Sequence, residues 1–117
     1  SGDWEAWVDF FLEGVEQTAR GAVQTARRLV AMFDADTARV NGRGRGTASA
    51  QRVLTALRMR PMLDIRQLAR DHGMTFPTAD KAMRTLVDLG IAREITGRRR
   101  NRVFVYDAYL GILNEDG

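Results

Sequence analysis

Arg98, Arg99, Arg100 and Arg102, with Asn101 among them, stand in the stretch EITGRRRNRVFVYDAY (residues 94–109) between two short runs of strand-forming residues. Guanidinium groups crowded at one turn suit the neutralisation of phosphate, where each contact adds sequence-independent affinity and steepens the salt dependence. Two other uses stay open on the residues alone. The arginines could face protein, for instance with Arg102 paired across the strands to Glu94, or they could be solvated charge that keeps a sheet edge soluble. A second set lies upstream in TFPTADKAMRTLVD, where Phe76, Thr78, Asp80, Lys81, Arg84, Thr85 and Asp88 take outward helical positions and carry no net charge. Among these, Lys81 and Arg84 suit phosphate or guanine, Thr78 suits a base edge or backbone, and Phe76 suits a thymine methyl. Asp80 and Asp88 would repel a phosphate backbone. Thr78, Lys81, Arg84, Arg98, Arg99, Arg100 and Arg102 are therefore the candidate contacts to double-stranded DNA.

Other chemistries lack their raw materials. There is no Cys and a single His, His72, so zinc centres, thiol nucleophiles and histidine-based triads are not expected. NGRGRGT (residues 41–47) is Gly-rich but lacks the spacing and the following Lys of a phosphate-cradling loop. No catalytic or metal-binding residue is assigned, no cofactor is expected in these residues, and the chain itself is not expected to be an enzyme. No run approaches the roughly 20 apolar residues of a membrane span, and SGDWEAW has no signal-peptide character. A cytoplasmic protein without a membrane partner is the expectation. Ser1-Gly2 in place of an initiator Met suggests a piece of something longer.

The net charge of +3 hides an asymmetry. Residues 1–36 hold seven acids against Arg20, Arg27 and Arg28, whereas residues 37–117 hold fifteen bases against eight acids. A basic domain beside an acidic segment points weakly to nucleic acid, because the footprint must be concentrated to attract phosphate.

The elements that must position these charges follow from periodicity. Trp4, Val8, Phe11, Val15, Ala19, Ala22, Val23, Ala26, Val30 and Phe33 recur at helical steps without a proline, predicting a long N-terminal amphipathic helix within residues 1–40 that Gly14 and Gly21 could interrupt. Its first turns are apolar on a second side as well. Trp4, Trp7, Phe10 and Phe11 are the candidate interface residues, to be met by a second copy or by protein outside these residues. Residues 41–47 are a Gly/Arg linker in which Arg43 and Arg45 read as loop charges. Residues 48–117 form the second unit. One helix begins behind Thr47 or Ser49, carries Val53, Leu54 and Leu57, and ends at Pro61. Another runs from the cap Asp64 to Asp71 with Ile65, Leu68 and Ala69 inward. Gly73 supplies a left-handed turn. A third helix starts behind Thr75, with Pro77 in its first turn, and buries Ala79, Ala82, Met83, Leu86 and Val87 before Gly90. IAREI and RVFVY then read as a hairpin around TGRRRN, and Asp107 caps a last short helix, AYLGIL, that folds back on the core.

Two helices joined by a short Gly-containing turn are a helix-turn-helix, and the hairpin is its wing. The expected class is mainly α with a small β-hairpin: a long N-terminal helix, then a winged helix-turn-helix from about residue 47 to 113.

WVDFFLEGV together with RPMLDIRQLARDHGMTFPTADKAMRTLVDLGIAREITGRRRNRVFVYDAYLGIL resembles the C-terminal portion of Fic-family proteins, in which a closing helix of the catalytic domain leads into a winged helix. The middle of this stretch is similar to many bacterial regulators; TGRRRNRVFVYDAYLGIL and WVDFFLEGV are its more specific parts. The family's transfer of AMP from ATP to a protein hydroxyl is carried by a motif of the form HPFxDGNGRxxR, which is not in these residues; His72 is followed by Gly-Met. The resemblance implies a non-catalytic accessory module of an adenylyltransferase. ATP and a divalent metal would belong to the parent's catalytic domain, and the helix of residues 3–33 would have packed on that domain. Three functions compete: this regulatory or DNA-contacting module, a free-standing dimeric winged-helix transcriptional regulator, and a protein–protein docking module. The aromatic stripe leaves a homo-oligomer expected.

Overall fold

The structure, a computed structural model, describes residues 2–44, 47–97 and 99–115. Arg45 of the linker and Arg98 of the basic turn lie outside the described residues. The fold is mainly helical with one small antiparallel sheet, 69 Å in its longest dimension against 29 and 24 Å in the others.

Helix α1 spans Gly2–Asn41 without a break. Neither Gly14 nor Gly21 interrupts it, and the hydroxyls of Thr18 and Thr25 donate to the Gly14 and Gly21 carbonyls at 2.9 and 3.0 Å. Forty residues at about 1.5 Å each make a rod of about 60 Å, far longer than the rest of the molecule is wide. Only its C-terminal turns meet the remainder. Val40 is fully buried, and Phe33 and Met32 pack against the core. The Gln51 amide donates to the Thr37 carbonyl at 3.0 Å and to Asn41 Oδ1 at 2.8 Å, clamping the next helix to this end.

Helix α2 (Thr47–Met59) buries Ala50, Val53, Leu54, Ala56 and Leu57 and stops before Pro61, whose ring cannot continue a helix. A short strand β1 (Met62–Asp64) follows, which the sequence reading did not contain. Helix α3 (Ile65–Asp71) starts where the Asp64 carboxylate accepts the Gln67 amide at 2.7 Å. Gly73 takes φ +63° between α3 and α4, a left-handed conformation that a Cβ resists. Helix α4 (Phe76–Asp88) is capped by Thr75, which accepts from the Thr78 amide at 3.3 Å. Ala79, Ala82, Met83 and Leu86 are buried as expected, but Val87 is 36% exposed. It stands at the margin of a narrow stripe and opens onto the groove between α4 and the basic turn.

Strands β2 (Arg93–Glu94) and β3 (Val103–Val105) form the expected hairpin. β3 lies in the middle of the sheet, in the order β1-β3-β2, with Leu63 opposite Phe104 and Glu94 opposite Phe104 on its other side. Helix α5 (Asp107–Glu115) runs along α1. Its return is thus onto the long helix, with Tyr109 alone reaching the core cluster and none of its residues fully buried.

Among the described residues, a buried polar contact crosses the core. The Tyr106 hydroxyl donates to Asp36 Oδ2, and Arg39 holds the other carboxylate oxygen at 3.1 Å. Phe33, Tyr106 and Tyr109 form a triangle with centroids 5.2–6.0 Å apart, Tyr109 edge-on to both other rings and Phe33 tilted by 55° to Tyr106, roofed by the Arg58 guanidinium 4.4 Å from the Phe33 centroid. Burial pushes the Tyr106 hydroxyl well above the usual tyrosine range, and the hydrogen bond to Asp36 and its charge push it further.

Candidate nucleic-acid interface

The basic turn is built from its base upward. At the end of β2, Glu94 accepts the Gly97 amide at 2.7 Å through one oxygen and the Thr96 hydroxyl at 2.9 Å through the other, while Thr96 Oγ1 accepts the Val103 amide at 3.3 Å. The Gly97 amide above all, then the Thr96 donors and the charge of Arg102, hold the Glu94 carboxyl below its usual range. Gly97 at φ +63° and Asn101 at φ +56° turn the chain; asparagine is among the few residues with a side chain that visit this region readily. Glu94 is therefore the anchor of the turn, and the nearby charge of Arg102 adds a little to its acidity.

Arg99 and Arg100 project from this turn and are exposed. Together with Arg102 they face the starts of α3 and α4 across a cleft of about 180 Å³, whose other walls are Asp64, Ile65, Arg66, Phe76, Asp80, Arg84 and Asn101. Five arginines thus meet two carboxylates there, and both carboxylates already hold partners: Asp64 caps α3, and Asp80 pairs with Arg84 at 3.0 Å. The cleft keeps an excess of positive charge where two helix N-termini, themselves electropositive, point. An anionic backbone fits this arrangement.

The candidates do not all converge. Arg84, Arg99, Arg100 and Arg102 line the cleft. Thr78 is exposed on the first turn of α4, but its hydroxyl accepts from the capping Thr75 at 2.9 Å. Lys81 is exposed further along α4. Arg84 is tied to Asp80, and Arg43 of the linker reaches Asp88 at 3.4 Å, so the outward charges of α4 largely compensate one another. Arg93 is not a phosphate ligand in waiting: it grips Asp107 through two bonds of 2.6 and 3.1 Å, which holds Asp107 below its ordinary range. Arg66, in the first turn of α3, was missed. Its signal was its place two residues behind the cap Asp64, in the first turn of α3.

Trp4, Trp7, Phe10 and Phe11 sit at the far end of α1, 64, 60, 76 and 55% exposed. Trp4 stacks on Trp7 and Trp7 on Phe11 at centroid separations of 6.0 and 5.9 Å, forming a ladder along the rod far from the basic cleft. Among the described residues no group of three acidic or histidine side chains is placed to hold a metal, and no helix is long and apolar enough to cross a membrane. No protein-family model matches the chain, and no curated protein matches it either.

Proposed function

We propose that residues 47–115, with the end of α1, form a winged helix-turn-helix that contacts duplex nucleic acid through the start of α4 and the β2–β3 turn, as a non-catalytic module of a Fic-family adenylyltransferase. The observation that carries the contact is the five-arginine cleft between that turn and the α3 and α4 N-termini. The Asp64 and Thr75 caps, the Gly73 turn and the central position of β3 support the winged arrangement. Because the outward charges of α4 pair internally, binding rests mainly on phosphate contacts and is weakly sequence-selective.

The test is fluorescence anisotropy with random duplexes over a range of salt. Binding at low salt with a steep slope is expected. Replacing Arg99 and Arg100 by Ala should flatten the log–log plot by up to about 1.8 units, at roughly 0.9 per lost phosphate contact. An unchanged slope, or no binding to any duplex at low salt, removes the proposal. Lys81→Ala should shift preference among sequences by about 1–3 kcal/mol if its ammonium touches a base.

A protein-docking role is the second reading. The internal pairing of Arg84 with Asp80 and the exposure of Met59, Met62 and Phe76 favour it. The parent assignment is tested separately by whether an HPFxDGNGR-like segment precedes these residues in the full-length gene product.

A further inference from the structure

The face that α1 turns to the globular part is continuous along the whole rod. Phe33, Asp36 and Val40 are its residues in or against the core. Stepping back by threes, fours and sevens from Phe33 leads to Leu29, Ala22, Val15, Phe11, Val8 and Trp4, the row expected of a helix that keeps one apolar side toward partners. One end of this row is covered by the chain's own fold. The other end is more aromatic still and bare, with Trp7, Phe11, Val15 and Ala22 walling an open groove.

Charge decides which partner fits. Residues 3–16 hold Asp3, Glu5, Asp9, Glu13 and Glu16 and no base, whereas residues 17–33 hold Arg20, Arg27 and Arg28 and no acid. A second copy laid parallel would set acid against acid and base against base. Laid antiparallel, it sets the acidic segment of each chain along the basic segment of the other, twice, as a two-fold interface requires. We infer that α1 is an antiparallel dimerisation helix, in which two copies of this chain cross near Gly14–Thr18 and each delivers its aromatic end to the other's α5.

On the groove face the crossing is lined by Gly14, Thr18 and Ala19, whose small side chains let two backbones approach closely. With the two-fold axis near residue 16, the level of Trp4 on one rod is that of Arg28 on the other. There the structure has a place to receive it. Arg28 binds Glu115 at 2.5 Å, fixing the end of α5 beside α1, and Leu113 on that end is 40% exposed. A largely apolar helix with no fully buried residue is an incomplete packing layer, and an arriving indole completes it. The area suffices as well. Four rings per chain with about 100 Å² open on each give about 800 Å² before any aliphatic contact, and the aliphatic row brings the total into the range of stable complexes, about 1,200–2,000 Å².

The native chain has no cysteine, so single thiols report the geometry directly. Sedimentation equilibrium should find a dimer at micromolar concentration that weakens as salt rises. Oxidising an equimolar mixture of the Glu5→Cys and Arg27→Cys variants should give mainly the mixed disulfide, with little 5–5 or 27–27 product. The Trp4→Glu/Trp7→Glu/Phe11→Glu variant should be monomeric with its helical circular dichroism and thermal transition retained. A wild-type monomer at high concentration overturns the inference and leaves the aromatic end for a different protein. A dimer that cross-links 5–5 and 27–27 overturns it in favour of a parallel pair. Neither outcome bears on duplex binding by the basic cleft, whereas a dimer sealed along α1 takes the face that the Fic resemblance gives to a catalytic domain and so counts against that parent.

Discussion

Asp36 and Tyr106 make the one buried polar tie described between the long helix and the sheet, and its worth can be measured. Tyr106→Phe keeps the ring among Phe33 and Tyr109 but leaves the Asp36 carboxylate, only 7% exposed, with Arg39 as its remaining partner. The expected cost is about 1–3 kcal/mol of unfolding free energy, the usual penalty for orphaning a buried acceptor, read by urea titration. The folded Tyr106 hydroxyl titrates above the unfolded one. Its contribution is therefore complete below the ordinary tyrosine value of about 10 and is lost as the pH rises through the higher folded value; the Phe variant should lack that alkaline loss. Glu94 works in the opposite sense. Its folded carboxyl titrates below the usual range, so the support it gives the basic turn is complete above about pH 4.3 and disappears as the pH falls through the lower folded value. The protection of the Gly97 amide against hydrogen exchange, measured relative to the intrinsic rate at the same pH, should fall in acid, and Glu94→Gln should show the lower protection already at neutral pH.

At the scale of elements, Gly73 sets the angle between α3 and α4. No atom lies within 4 Å of where its Cβ would stand, yet its φ is +63°, so a substitution there meets backbone strain without a clash. Gly73→Val should destabilise by about 1–2 kcal/mol, and Gly73→Asn by less, as thermal melting will show. This turn was legible in advance, as were the Asp64 and Thr75 caps, because such signals are written in two or three adjacent residues. Strand β1 was not. Met62–Asp64 is too short to show a period, and it becomes a strand through pairing with β3, where its partners stand 39 to 43 residues downstream. Asp36 was passed over as one more acid of an acidic segment, although its place between Phe33 and Val40 on the same helical face marked it. Within the basic turn the sequence supplied the charges and the hairpin. That Arg66 and Arg84 join them across a cleft, while Arg93 is drawn away to Asp107, depends on how α3, α4 and α5 are placed against the sheet.

The whole molecule divides unevenly between a rod and a globular end, and the boundary is not at the linker. A chain beginning at residue 25 should keep the cooperative transition of the globular end, since Val40, Asp36, Phe33 and Met32 all survive. One beginning at residue 42 should lose it, because Val40 and the Asp36–Tyr106 tie go together; calorimetry on the two truncations decides. The placement of the rings has an optical consequence. Both tryptophans, Trp4 and Trp7, stand at the outer tip of the rod, whereas both tyrosines, Tyr106 and Tyr109, stand where the rod enters the globular end. Emission excited at the red edge of the spectrum therefore watches only the tip, and tyrosine emission watches only the junction. Denaturation followed in these two colours gives coincident curves if the rod melts with the core and separate ones if it frays first, so the chain carries its own pair of probes for the cooperativity of its two parts.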